Sequence, residues 1–230
     1  SYTLDLGKIF EQTERQEKAT KLYEDLIKNL PPISYEITKL STEFKNTGKY
    51  DLAHQTLLKG RKILGKKYNL HLYFADLYSI QGKTDLMIDE YFDLVDVQPN
   101  YRNTVETLLS RQFDFTEANK ETDLLRIKIL ERIRKHPSDT KYDEFLIWFF
   151  IQKKDFNSAY VQSKALDKKS NGMGRDVYNL GTISMTNQSY SVARKCYQYV
   201  LNLEEKSTLS GLAQNRLLRV SYMELTTKRD

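Results

Sequence analysis

The sequence predicts an all-α fold, an α-solenoid of about six helical hairpins with a closing helix at its C-terminal end. Three observations predict it. The first is a 34-residue self-similarity: Phe74-Ala75, Tyr78, Gly82, Met87, Tyr91, Leu94 and Pro99 have counterparts 34 positions earlier in Leu40-Ser41, Phe44, Gly48, Ala53, Leu57, Gly60 and Gly65. A further 34 back stand Leu6-Gly7, Phe10, Ala19, Tyr23, Leu26 and Pro31. The second is the order inside each copy, a large residue beside a small one, then an aromatic, then apolar residues at helical spacing. The third is punctuation, with glycine at the turn and glycine or proline at the exit.

Each element follows from that register. Residues 1–33 form the first unit, with an inner helix near 2–13, an outer helix near 16–29 and Pro31-Pro32 as the stop, because proline lacks the amide proton a continuing helix needs. Residues 34–67 form the second. Its turn over residues 47–51 offers Gly48 for a left-handed position and Asp51 as a cap for the next helix. Residues 68–101 repeat this with Gly82 and Asp85, and Pro99-Asn100 ends the copy.

The register then slips. Residues 102–139 form a degenerate unit, with an inner helix over 101–112 and a long outer helix over 116–136 that stops at Pro137. Ala159 follows Met87 by 72 residues rather than 68, so this unit is longer by about four. A longer unit is expected to alter local stacking and to bend or widen the array there. The fifth unit, 140–173, carries Leu146-Ile147, Phe150, Phe156, Ala159 and Leu166. The sixth, 174–206, carries Leu180-Gly181, Tyr190, Ala193, Tyr197 and Val200. A closing helix over 207–227, with Leu212, Leu217, Leu218, Val220 and Tyr222, completes a count of thirteen helices and no sheet. The whole reads as one domain. The chain starts at Ser1, already inside a repeat, and is expected to be part of a longer array.

Composition narrows the function classes. Lys and Arg number 36 against 31 Asp and Glu, a net charge of +5 that permits nucleic acid without indicating it. Lys59, Arg61, Lys62, Lys66 and Lys67 cluster at a helix end, where cations suit the macrodipole. The longest apolar run, residues 145–151, is far short of a membrane span. A single cysteine, Cys196, forbids an intrachain disulfide. His54, His71 and His136 lie in different units, none four residues from another, and give no metal-ligand spacing. No phosphate-binding loop or nucleophile motif is present, so neither a catalytic site, a cofactor nor a metal is expected.

Leu6-Gly7-x2-Phe10, Ala19-x3-Tyr23 and Pro31 fall on the Trp-x2-Leu-Gly-x2-Tyr, Ala-x3-Phe and Pro positions of the tetratricopeptide repeat (TPR), and the chain resembles that family. The resemblance implies a right-handed superhelix whose inner helices line a concave groove that binds a segment of another protein. The family's groove positions correspond here to Lys39, Tyr73, Asp76, Trp148, Ile151, Arg175, Tyr178, Asn179 and Met185, with Phe145 and Thr182 alongside. Trp148 either packs beneath a neighbouring helix or anchors a bound peptide. The subclass that clamps a C-terminal carboxylate needs Lys and Asn at positions that here hold Leu4, Lys8, Lys39, Asn69 and Tyr73, so chaperone-tail binding is not implied. The Lys-, Tyr- and Asn-rich style, as in residues 149–156, is similar to repeat proteins of the Bacteroidota cell envelope and implies an exported location.

The expected partner is therefore a protein or peptide segment. Two alternatives remain open. RNA-reading helical repeats use small polar residues at the fifth place of each unit, where this chain has Leu4, Thr38, Leu72, Glu106, Glu144 and Tyr178, which argues against a base code. A purely structural spacer within a longer array is the other. The sequence does not specify an oligomeric state.

Overall fold

The computed structural model describes residues 2–65, 68–117, 119–203 and 209–227. Lys66 and Lys67 of the basic cluster, and the first two residues expected in the closing helix, lie outside them. Among the described residues there are thirteen α-helices and no strand. They are α1 (Tyr2–Gln12), α2 (Gln16–Lys28), α3 (Ser34–Asn46), α4 (Tyr50–Leu64), α5 (His71–Ile80), α6 (Thr84–Val97) and α7 (Arg102–Gln112), with a 3-10 turn at Pro99–Tyr101. Then follow α8 (Lys120–Lys135), α9 (Lys141–Gln152), α10 (Phe156–Ser170), α11 (Arg175–Thr186), α12 (Tyr190–Leu201) and α13 (Leu209–Thr227). The chain divides into two compact units, Ser1–Val105 and Glu106–Asp230.

One turn is used five times. At residues 14, 48, 82, 154 and 188 the backbone is left-handed, with φ of 56°, 74°, 67°, 54° and 61°. The N–H of the next residue, Arg15, Lys49, Lys83, Asp155 or Ser189, donates to the carbonyl five residues back at 2.8–2.9 Å. The left-handed residue itself donates three back, as Gly48 does to Lys45 at 3.0 Å. This pair of bonds is the Schellman ending, which satisfies carbonyls the helix leaves open. The residue after the left-handed position then serves directly as the N-cap of the outer helix.

That economy corrects two expectations. Asp51 and Asp85 do not cap: Lys49 and Lys83 occupy the N-cap, and the aspartates fall in the first turn, where they favour the helix dipole instead. In the fifth hairpin the capping position does hold an acid, and Asp155 accepts from the Ser158 N–H at 3.1 Å.

In the first unit, α1 with α2, α3 with α4 and α5 with α6 form the hairpins. Small residues let the helices approach. A Cβ at Gly7 would come within 2.3 Å of the Tyr23 ring, and one at Gly60 within 2.3 Å of Ile37. Tyr23 packs edge-on against Phe44 with centroids 5.3 Å apart, and Lys49, over the same ring, pairs with Glu11 at 3.0 Å. Burial, then the charge and hydrogen bond of Glu11, push the Tyr23 hydroxyl up to about 12.

In the second unit, α9 with α10 and α11 with α12 form hairpins, and α13 packs on α12 and α11. One cluster joins Phe156, Ala159, Val177, Leu180, Val192 and Cys196; the next joins Ala193, Tyr197, Val200, Ala213 and Val220. Burial pushes the Cys196 thiol up to about 12 against the opposing charge of Lys195, which leaves it protonated and unreactive. The degenerate unit departs from expectation at α8, which begins at Lys120 rather than near 116. Asp114 turns the chain by accepting from the Thr116 N–H at 2.8 Å, and Asn119 caps α8 through Thr122 N–H at 2.8 Å. In place of the missing repeat aromatics, the loop after α7 buries Phe113 and Phe115.

Candidate functional site

An inner helix of such a hairpin has one stripe buried and another available. On α11 the buried stripe is Val177, Leu180, Gly181 and Ser184. The opposite side carries Arg175, Tyr178, Asn179, Thr182, Met185 and Thr186, at intervals of three and four, which align on one face. Arg175 and Asn179 are exposed, and their side chains make no hydrogen bond to the described residues. Tyr178 is half-buried, its ring 5.4 Å from that of Tyr197, and its hydroxyl lies beside Arg216 of α13, whose guanidinium it holds above its ordinary value. Met185 is also half-buried, against the Tyr197 cluster.

On α9 the surroundings are aromatic. Trp148 is half-buried and meets Phe115 at 5.6 Å and Phe145 at 6.2 Å, both edge-to-face. Phe145, expected in the groove, is fully buried and stacks on Tyr142 at 5.8 Å, so it belongs to the core. Ile151 packs against the Phe156 cluster. The helix lacks a polar side because both its stripes meet aromatic or aliphatic neighbours.

The first unit holds the other three expected positions. Lys39 is exposed on α3, 5.7 Å from the Tyr35 ring, and lines a cavity of about 340 Å³ with Leu4, Leu26, Leu30, Asp25 and Glu36. Tyr73 is 37% exposed on α5. Asp76 is tied to Lys45 of α3 at 2.5 Å, so two inner helices are cross-linked through the face where recognition was expected. The six remaining positions all fall in the second unit.

Several charged groups elsewhere are committed. Glu90 on α6 is buried, and its Oε2 accepts from Arg61 at 2.7 Å and from His71 Nδ1 at 2.8 Å. Burial would raise this carboxyl, but the two hydrogen bonds and the neighbouring positive charge outweigh it and hold Glu90 below its ordinary value. Arg61 also lies 3.9 Å over the Phe74 ring, so it is a packing residue rather than part of a free basic patch. Asp143 likewise holds Lys169 at 2.7 Å and Gln162 at 2.9 Å, while Asp167 accepts from Gly174 N–H and the Tyr199 hydroxyl at 2.8 and 2.9 Å. Among the described residues no group of three His, Cys, Asp or Glu side chains is placed to hold a metal ion. No described helix is long and apolar enough to cross a membrane.

Sequence reasoning missed Arg216, Arg219 and Met223. They share one face of α13 and, with Thr182, Met185 and Thr186, border a cavity of about 430 Å³. Their spacing of three, then four, was the available signal.

No family model matches the chain, and no curated protein matches it. Among solved structures, the C-terminal part of a TPR repeat-containing protein from Cytophaga hutchinsonii matches over 86% of this chain and 78% of its own, at 12% identity and a TM-score of 0.37. The TPR domain of P58(IPK) matches over 99% of this chain, at 16% identity and a TM-score of 0.32; the chain spans 66% of that domain. The chain's own hairpins carry the assignment. With five Schellman turns, spaced 34 residues apart within each unit, and no strand among its described residues, the chain is an all-α array of repeated helical hairpins.

Proposed function

We propose that this chain is a non-catalytic interaction scaffold that takes a segment of a partner protein along the exposed faces of its inner helices. The observation that supports this reading is the α11 stripe. Arg175 and Asn179 are exposed and have no hydrogen-bonding duty within the described residues, and Tyr178 and Thr182 lie beside them with one side against Tyr197. A stripe mixing a cation, an aromatic ring and amide or hydroxyl groups supplies the anchors and directional bonds that peptide recognition uses. Trp148 contributes its half-exposed edge rather than a free ring. Lys39 and Tyr73 are the corresponding exposed positions in the first unit.

Site-specific photocrosslinking tests the proposal. A crosslinker at Asn179 is expected to trap a protein partner, whereas one at Val161, exposed on the outer helix α10, traps none. Equal trapping at both sites, or none at Asn179, contradicts it.

A further inference from the structure

The geometry points to a pocket at the α11–α13 end of the second unit that receives an acidic side chain of the bound partner segment, an inference that rests on the scaffold reading above. Two guanidinium groups, Arg216 and Arg219, border the cavity of about 430 Å³, and among the described residues no carboxylate lines it. Thr182 and Thr186 add hydroxyls on one side, and Met185 and Met223 add an apolar wall. The acid closest in sequence is Glu224, the single carboxylate on α13, and it is held by Arg194, which also bonds Ser221 at 3.2 Å. Arg216 lies beside the Tyr178 hydroxyl, while the Arg219 side chain has no hydrogen-bonding or ionic partner among the described residues.

Cations bordering two other cavities stand beside carboxylates. Lys39 shares its cavity with Asp25 and Glu36, and Arg61 and His71 share Glu90. Two arginines without a counter-charge among the described residues carry a repulsion that an incoming carboxylate relieves, and the planar fork of each can bind it bidentately. The methionines fit a neighbouring apolar residue, so the preferred segment alternates acidic and aliphatic side chains.

The test uses this chain and fluorescence anisotropy with short end-capped peptides of alternating Glu and Leu, against the same peptides with Gln for Glu. The Glu peptide is expected to bind about tenfold more tightly, with the preference shrinking as ionic strength rises. Arg219→Gln is expected to abolish the preference while leaving the melting temperature unchanged, since Arg219 is exposed. Equal binding of the two peptides, no binding of either, or an unchanged preference in Arg219→Gln overturns the pocket. Persistence of the Asn179 crosslink in Arg219→Gln would show that the scaffold reading survives that failure.

Discussion

Ser163 and Ser184 occupy positions where other copies hold large side chains: Tyr23, Leu57, Tyr91 and Tyr197 in the first case, Phe10, Phe44, Tyr78 and Phe150 in the second. Both are fully buried, and neither hydroxyl has a hydrogen-bond partner. A buried unsatisfied hydroxyl costs roughly 1–3 kcal/mol, so Ser163→Ala and Ser184→Ala should each stabilise the fold by about 1 kcal/mol. A urea midpoint that rises in each variant agrees; a fall would show the hydroxyls are satisfied. Glu90 carries a second residue-scale prediction. Its folded-state carboxyl lies below the ordinary value of 4.5, so its contribution is present above that value and is lost as pH falls through the lower, folded one. Glu90→Gln should therefore be less stable at neutral pH and flatter in stability across that acid range, measured by denaturation at stepped pH. The sequence showed Arg61 only in a basic cluster at a helix end and His71 only as an isolated histidine, because helical spacing reveals a neighbour on the same helix and not one brought across from α4 or α5.

At the scale of the element, the turn decides the hairpin. The 34-residue register made five hairpins legible, since large, small and aromatic residues recur wherever helix packs on helix. The turn chemistry was legible only where glycine marks it. Glu14, Lys154 and Gln188 adopt the same left-handed conformation as Gly48 and Gly82 without the residue that signals it. Open space surrounds Gly48 and Gly82, so Gly48→Ala or Gly82→Ala tests the backbone alone and should cost about 1–2 kcal/mol. Lys154→Gly and Gln188→Gly should gain about 0.5–1 kcal/mol, less than the strain removed because glycine also frees the unfolded chain. Thermal melts of the four variants check the opposite signs. Aspartates at residues 51 and 85 misled for a related reason: a Schellman ending that feeds straight into the next helix places the cap two residues earlier. Phe113 and Phe115 escaped notice because they lie in a loop, where neither the 34-residue register nor the helical period reaches.

For the molecule as a whole, one supersecondary unit, repeated, creates inner-helix faces, and we propose that their exposed side chains recognise a partner. The candidate site was partly legible. Arg175 and Asn179, assigned from the family resemblance, are exposed, while Asp76 and Phe145 are committed to an ion pair and to the core. Arg216 and Arg219 lay outside the repeated pattern, on the helix that follows it. Because hairpins in such arrays interact mainly with neighbours, stability should be distributed rather than all-or-none. The measurement that tests the central claim most directly is the sign of φ at residues 14, 48, 82, 154 and 188, read by heteronuclear NMR on this chain. A positive angle at all five, each flanked by right-handed helix, is the predicted result. A negative angle at any of the three non-glycine positions, or extended backbone within a helix beside them, would contradict it.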